Sequence, residues 1–240
     1  MGNIWTPESI EYFRRSSEYT SFHKKLSVLA EPYLDDIWTL VDIGCGPGLF
    51  EPWLAPMVAS IDAVDIDTAA IDYLTAKLED VFATSSDIAN KVKPVLADIK
   101  DLEGAWDVAL LSFFGVNNDV IETVLRLARR RIIVFMHGRR EVTGPFSRGS
   151  GEGKFTAPEM EAYLDESGLA YRKNVMEMQF GQPFKTIEEV QAFVRENSDV
   201  RGAASIEERI VKTNRFDYPF YLPRSISVAL FIIAVNRGER

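Results

Sequence analysis

The chain has only one cysteine, Cys45, among its 240 residues. A single cysteine excludes an intramolecular disulfide and a zinc site built from several cysteines, and it is compatible with a reducing compartment. The segment from Met1 to Arg15 has no apolar signal-peptide core. No uninterrupted apolar run reaches the roughly 18 residues that are needed to cross a bilayer. We therefore expect a cytoplasmic protein without a membrane partner.

Positive charge is also scarce. Lys and Arg number 27 against 36 Asp and Glu, which leaves a formal net charge of -9 and a pI near 4.9. Such a protein is poorly suited to a partner whose affinity depends on neutralising many phosphates. Its one strongly basic stretch, Arg129 to Arg131 with Arg139 and Arg140, is typical of solvated charges at helix ends and loops. The composition therefore predicts that nucleic acid is not the partner.

What the chain does contain is a regular alternation of short apolar runs and amphipathic stretches. Hydrophobic residues make up 46% and charged residues 26%, which is typical of a globular protein that buries a sizeable core. Alternation of this kind indicates repeated βα units and a largely parallel sheet, and so predicts an α/β fold. The predicted strands of this region are residues 39–43, 60–66, 92–97, 106–112 and 131–137.

Further elements are predicted outside this alternation. Thr6 followed by Pro7 supplies a cap and a first-turn proline for an amino-terminal helix. Near the carboxyl end, an apolar and β-branched run predicts the last strand at 227–236, and another strand is expected to start at Ala170. The predicted helices are residues 6–17, residues 21–33, a segment capped by Thr156, residues 188–196 and residues 206–213.

The most informative segment is Val41-Asp42-Ile43-Gly44-Cys45-Gly46-Pro47-Gly48, where an apolar strand enters a turn with three glycines. Glycine lets the backbone bend sharply and approach a ligand without a Cβ in the way. By itself, such a turn is equally typical of a tight strand-to-helix connection that binds nothing. Roughly 20 residues later the second strand ends with Asp65, a carboxylate placed to accept hydrogen bonds from ribose hydroxyls. Asp67 is predicted to cap the following helix.

These segments, together with Val95-Leu96-Ala97-Asp98-Ile99 after the third strand, resemble the motifs of class I S-adenosylmethionine-dependent methyltransferases. The resemblance covers about residues 40–137. It implies a Rossmann-like fold with a mostly parallel seven-stranded sheet, helices on both faces and an antiparallel last strand. It also implies S-adenosyl-L-methionine as the cofactor, with Asp98 at the adenine amino group. The cofactor-binding residues that it assigns are Asp42, Gly44, Cys45, Gly46, Gly48, Asp65, Ile66, Asp98, Ile99 and Ser112.

The same resemblance divides the chain. Residues 1–36 are expected to form a helical cover and residues 37–240 the methyltransferase domain, with an insertion on the substrate side around 180–222. Aromatic residues of the cover and of the insertion are candidates for a lid over a substrate, although aromatic residues at such spacing more often form a core.

Two other enzyme types are less compatible with these motifs. A nicotinamide-binding enzyme also combines glycines with a later acid, but its Gly-x-Gly-x-x-Gly pattern requires glycine where this chain has Leu49. Many methyltransferases that act on adenine or glutamine carry an Asn/Asp-Pro-Pro-aromatic signature after the fourth strand. This chain has Ser112-Phe113-Phe114-Gly115 there, which makes those acceptors less favoured.

Methyl transfer from a sulfonium needs the acceptor atom held in line with the sulfur, and a base is optional. His137 is the candidate base, because it follows a core strand at the end where α/β sheets place ligands. Its alternative role is a hydrogen-bonded loop histidine. His23 is predicted to lie on a surface helix, and no metal site is expected. We expect a small-molecule acceptor, with a protein acceptor or non-catalytic cofactor binding as alternatives, and a monomer or homodimer.

Overall fold

The computed structural model of the chain describes residues 5–82, 86–139, 155–197 and 208–235. Its strands, in chain order, are β1 (Thr39–Ile43), β2 (Ser60–Asp65), β3 (Val92–Leu96), β4 (Trp106–Ser112), β5 (Ala128–His137), β6 (Tyr171–Gln179), β7 (Gln182–Phe184), β8 (Val211–Lys212), β9 (Phe220–Leu222) and β10 (Ser225–Ala234). Seven of them form the main sheet in the order β3-β2-β1-β4-β5-β10-β6. The pairs from β3 to β5 are parallel, whereas β10 is antiparallel to both of its neighbours. The predicted Rossmann-like sheet with an antiparallel last strand is confirmed.

Helices cover both faces of this sheet. The helices are α1 (Pro7–Thr20), α2 (Phe22–Ala30), α3 (Glu51–Leu54), α4 (Thr68–Phe82), α5 (Ser86–Ala89), α6 (Asn118–Leu127), α7 (Ala157–Glu166) and α8 (Ile187–Asn197). One core cluster contains Leu26, Leu54 and Leu74, from α2, α3 and α4. The other contains Val124 of α6 and Met160 of α7. The central strands of the sheet are thus buried on both sides, as strands of parallel sheets usually are.

Alternation along the strands explains how one short segment supplies both cores. Leu40 and Leu110 belong to the first cluster, whereas their neighbours Val41 and Leu111 belong to the second. Successive side chains in a strand point to opposite faces. In β10, which lies inside the sheet, eight consecutive residues are buried, which is why that segment is apolar apart from Ser227.

The chain reverses its direction of strand addition at β1. β1 pairs with β2 on one side and with β4 on the other, all three running parallel. In open α/β sheets, the crevice beyond the carboxyl ends of the strands at this switch point is where ligands bind. The glycine turn that follows Ile43 begins at this crevice.

The amino-terminal helices pack beside a second, smaller sheet. In α1, Thr6 and Ser9 form a reciprocal capping box and Pro7 occupies the first turn, as the Thr-Pro pair predicts. The small sheet has the order β7-β9-β8, and α1 contacts β7. A third apolar cluster, which includes Phe184, Phe193 and Leu222, joins this sheet to α8.

The predicted helix at 206–213 is wrong in the part that the structure describes. Residues 208–209 form a turn, and Val211 and Lys212 form β8, where they pair with Tyr221 and Phe220 of β9. Residues 206 and 207 lie outside the described residues. The strand forms because β9 supplies backbone partners from a later segment, which a local helical pattern does not reveal.

Candidate active site

A cavity of about 670 Å³ lies beyond the carboxyl ends of β1, β2, β4 and β5, under α1 and α2. A volume of this size accommodates a cofactor or a drug-sized ligand. The predicted site residues that line it are Asp42, Gly44, Cys45, Gly46, Asp65, Ile66, Asp98, Ile99, Ser112 and His137. The structure therefore brings ten of the eleven predicted residues together, and their roles toward a ligand stay a prediction.

Gly48 is the eleventh predicted residue, and it is not among the residues that line the cavity. Its φ is +68°, and a Cβ placed there would overlap Cδ1 of Leu74 in α4. Close packing of the turn against α4 is therefore enough to explain why residue 48 is glycine, and no ligand is needed for the explanation.

The glycine turn owes its conformation to glycines with positive φ angles and to hydrogen bonds with the end of β2. Gly44 has φ +78° and Gly46 has φ +56°, values that residues with a Cβ rarely adopt. The amides of Gly44 and Cys45 both donate to the carbonyl of Val64, at 2.8 and 3.0 Å. A Cβ at Gly44 would overlap the ring of Phe114. The turn consequently borders the cavity with backbone atoms and leaves no space for a side chain at Gly44.

Asp65 connects the two loops that border this side of the cavity. Its Oδ2 accepts from the amide of Gly46 at 2.8 Å, and its Oδ1 accepts from the amide of Asp67 at 2.9 Å. Each carboxylate oxygen can accept a further hydrogen bond. Asp67 accepts from the amides of Ala69 and Ala70 and so caps α4, the role predicted for it. Asp65 is thereby fixed in orientation while it faces the cavity.

The third acid stands after β3. Asp98 lines the cavity, and its Oδ1 accepts from the amide of Lys100 at 3.0 Å, which caps a short helical turn at Ile99–Asp101. Across the crevice, Ser112 ends β4, and Phe113 follows with φ +53°. A positive φ at a bulky residue is a strained conformation that usually persists where the surroundings require it. The backbone is therefore constrained on both sides of the cavity, at Asp98 and at Phe113.

Asp42 lies at the floor of the cavity beside an acid that sequence reasoning missed, Glu51. Asp42 is 1% exposed and Glu51 is 0% exposed. Burial raises the pKa of Asp42 well above its usual range, and the neighbouring Glu51 raises it further. Burial also raises the pKa of Glu51, to about 7. The signal in the sequence was an acid inside the apolar run Leu49 to Leu54, which places Glu51 on the buried face of a short helix.

The two histidines line different parts of the cavity. His137 ends β5 and lines the cavity, and its ring centroid lies 5.2 Å from that of Phe113. His23 was predicted on a surface helix, but it is 5% exposed and also lines the cavity. The prediction was wrong because Phe13 of α1 and Phe50, the residue directly before α3, pack on that side of α2. Burial lowers the pKa of His23 to about 3.

Aromatic rings line much of the cavity, and two of them, Trp5 and Phe114, lie against Gly46 and Gly44 of the glycine turn. The rings of Phe22 and Phe180 lie 4.6 Å apart, and those of Phe22 and Phe113 lie 5.7 Å apart. The aromatic residues of the lining are Trp5, Phe13, Phe22, Phe50, Phe113, Phe114 and Phe180. The cavity is thus acidic at the ends of β1, β2 and β3 and apolar beneath α1 and α2.

Two further observations concern the described residues alone. None of the helices there combines the length and the apolar character that crossing a bilayer requires. Within the same ranges, no three side chains among His, Cys, Asp and Glu are grouped so that they could hold a metal ion.

Known proteins resemble this chain in structure rather than in sequence. No family model and no curated protein matches the sequence. The YcgJ protein of Bacillus subtilis is similar with a TM-score of 0.59 and 10% identity, over 91% of this chain and 100% of its own. A SAM-dependent methyltransferase from Aquifex aeolicus has a TM-score of 0.57 and 14% identity, over 95% and 98% of the two chains.

A third similar structure is magnesium protoporphyrin IX methyltransferase from Synechocystis, solved with bound SAH. Its TM-score is 0.55 at 15% identity, over 97% of this chain and 89% of its own. Likeness at such identities establishes architecture and leaves the acceptor open. The chain has the fold of class I S-adenosylmethionine-dependent methyltransferases.

Proposed function

We propose that this protein is an S-adenosylmethionine-dependent methyltransferase that acts on a small molecule. The observation that carries the proposal is one cavity that combines the glycine turn and three acids, Asp42, Asp65 and Asp98, with an aromatic side beneath α1 and α2. S-adenosylmethionine carries positive charge on its sulfonium and amino groups, and when bound it supplies an electrophilic methyl group. The acidic side suits such a cation, because opposite charges attract strongly where water is excluded.

Each cofactor-side residue has a defined task in this proposal. The glycine turn admits the methionine part, since Gly44 and Gly46 present backbone without side chains. Asp65 accepts from the ribose hydroxyls with the oxygen lone pairs that its two amide donors leave available. Asp98 accepts from the adenine amino group, and Ile66 and Ile99 contact the faces of the adenine ring.

The acceptor occupies the aromatic side. Phe113 lies beside Ser112 and packs on His137. Together with Phe22 and Phe180, it excludes water from the reacting atoms. His137 takes the proton that a hydroxyl or amine acceptor loses as its lone pair attacks the methyl carbon. A cavity roofed by α1 and α2 favours a small molecule over a protein segment, because a protein acceptor requires an open groove. The net charge of -9 disfavours an RNA acceptor.

Calorimetry with S-adenosylmethionine, S-adenosylhomocysteine and NAD tests the cofactor. We expect saturable binding of the first two and none of NAD. Asp65→Asn removes a charge that would accept from the ribose, and it should weaken binding about tenfold or more, since hydrogen bonds to charged groups contribute about 1.5–3 kcal/mol. Asp72→Asn, at an exposed position on α4, is the matched control and should bind as the parent does.

Turnover is tested next, by following S-adenosylhomocysteine formation with a panel of small aromatic alcohols, acids and amines. Formation that depends on one acceptor, and that falls in His137→Gln, supports the proposal. Binding of NAD without S-adenosylmethionine would contradict the cofactor. Binding of the cofactor with methylation of protein substrates alone would contradict the small-molecule acceptor.

A further inference from the structure

Asp42 and Glu51 form a buried carboxyl pair at the floor of the cavity. Both side chains are almost wholly removed from solvent, and they are close enough to hydrogen-bond to each other. Oε2 of Glu51 accepts from the amide of Phe50 at 3.1 Å. Within the described residues, Oδ1 of Asp42 and Oε1 of Glu51 have no hydrogen-bond partner. Of the two acids, Asp42 is the one that lines the cavity.

The surroundings of the pair are mostly negative or apolar. Asp65 acts on Asp42 through its charge, and both members of the pair act on the half-buried thiol of Cys45. The cation whose charge acts on Glu51 is Lys77 of α4, which also faces Glu18 and Arg14. Burial lowers the pKa of Lys77 itself. These neighbours offer the pair little compensation for two negative charges.

Two ionised carboxylates in such a place are strongly unfavourable, because burial penalises charge and like charges repel. One proton between them removes a charge and supplies the donor that the unpartnered oxygens lack. Carboxyl dyads in proteins hold a shared proton for this reason.

We propose that Asp42 and Glu51 share one proton in the free protein, and that the pair releases this proton when the cationic amino group of S-adenosylmethionine binds against Asp42. This inference rests on the proposed function. The amino group is assigned rather than the sulfonium because a carboxylate that lines the cavity accepts N–H donors, which the ammonium carries and the sulfonium does not. Glu51 acts through Asp42 and is therefore a positioning residue.

The proton balance is simple. The free pair carries one negative charge and one proton, and the proton passes to the buffer as the ligand binds. The bound pair carries two negative charges beside one ammonium. Because binding selects the deprotonated pair, affinity should rise with pH until the pair of the free protein is ionised, by up to about tenfold per pH unit.

Calorimetry at about pH 6 in two buffers of different ionisation enthalpy measures the protons released. At this pH the ligand amino group, with a pKa of about 8, is already protonated and adds nothing. We expect about one proton for S-adenosylmethionine and the same for S-adenosylhomocysteine, which keeps the ammonium. For 5′-methylthioadenosine, which has neither cation, we expect none.

Glu51→Gln tests the pair directly. Its amide donates to Asp42 and leaves no shared proton, so release at pH 6 should disappear and affinity should become independent of pH between about 6 and 7.5. Glu31→Gln, at an exposed position after α2, should release the proton as the parent does. Circular dichroism and unfolding curves show that each variant is folded.

The outcomes separate this inference from the proposed function. Cofactor binding without proton release, or release that persists in Glu51→Gln, overturns the proton-sharing pair and leaves the methyltransferase proposal standing. Release with S-adenosylmethionine but not with S-adenosylhomocysteine overturns the assignment to the amino group. If neither compound binds the parent protein, both proposals fail.

Discussion

Gly48 and Gly168 both have positive φ, but glycine is required at the two positions for different reasons. Gly48 has φ +68° and Gly168 has φ +64°, so the two backbones are nearly equivalent. A Cβ at Gly48 would overlap Leu74, whereas a Cβ at Gly168 would meet nothing within 4 Å. The first glycine is required by conformation and space, the second by conformation alone.

Alanine substitutions at these two glycines separate the two causes. Both variants carry the strain of a left-handed residue, about 1–2 kcal/mol. Gly48→Ala should lose about 1–3 kcal/mol more, because overpacking a filled site has that additional cost. Urea unfolding of both variants measures the difference. Equal losses would show that Leu74 moves aside and that the contact places no constraint on Gly48.

At this scale the sequence was informative where backbone chemistry demands one residue type. The sequence predicted glycines directly after β1 and an acid, Asp65, at the end of β2. In the structure both border the same cavity. Glu51 and His23 were missed because burial of a polar side chain depends on distant partners. For His23 these are Phe13, Phe50 and the hydroxyl of Ser17, 2.6 Å from Nδ1.

Among the elements, α1 is attached to α8 by one buried cation. Arg15, of which 8% is exposed, is bonded to Glu11 of its own helix and to both carboxylate oxygens of Glu189 at 3.1 Å. Arg14, one residue earlier, pairs only with Glu11 and Glu18 among the described residues, both on α1. Arg15 therefore links α1 to α8, whereas the described ion pairs of Arg14 stay within α1.

Replacing each arginine with alanine tests that difference. Arg15→Ala should destabilise the protein by about 1.5–3 kcal/mol, because it removes a buried side chain and its charged hydrogen bonds to the partly exposed Glu11 and Glu189. Arg14→Ala should cost about 1 kcal/mol or less, as exposed pairs within a helix do. Thermal or urea unfolding of the two variants measures the losses. Similar values would indicate that α8 does not depend on this ion pair.

Elements with internal periodicity were predictable, and elements that depend on a remote partner were not. The five βα repeats and β10 follow from apolar runs of the right length. β8 contains two residues, Val211 and Lys212, and exists only because β9 lies beside it. The preceding polar pattern resembled a helix, and no local feature opposed that interpretation.

For the whole molecule, the buried His23 contributes to the loss of stability in acid. Its pKa is about 3 in the folded state and 6.5 ordinarily, so the unfolded chain binds the proton first. The stability that His23 contributes is fully present above about pH 6.5 and is lost as the pH falls toward 3.

His23→Gln removes this titration. Between pH 6.5 and 4.5, the parent should lose about 2–3 kcal/mol more than the variant, since one pKa unit corresponds to about 1.4 kcal/mol. Urea unfolding at both pH values gives the two losses, and the comparison at pH 6.5 subtracts the packing defect of the substitution. Parallel losses in parent and variant would place the acid sensitivity elsewhere.

The position of β10 affects how the molecule is made. This strand lies between β5 and β6 and bonds to both along most of its length, yet it follows both of them in the chain. During synthesis, β5 and β6 therefore have unpaired edges until β10 leaves the ribosome. Unpaired apolar edges favour association with other chains. A nascent or prematurely terminated chain is therefore the form of this protein that most needs a chaperone.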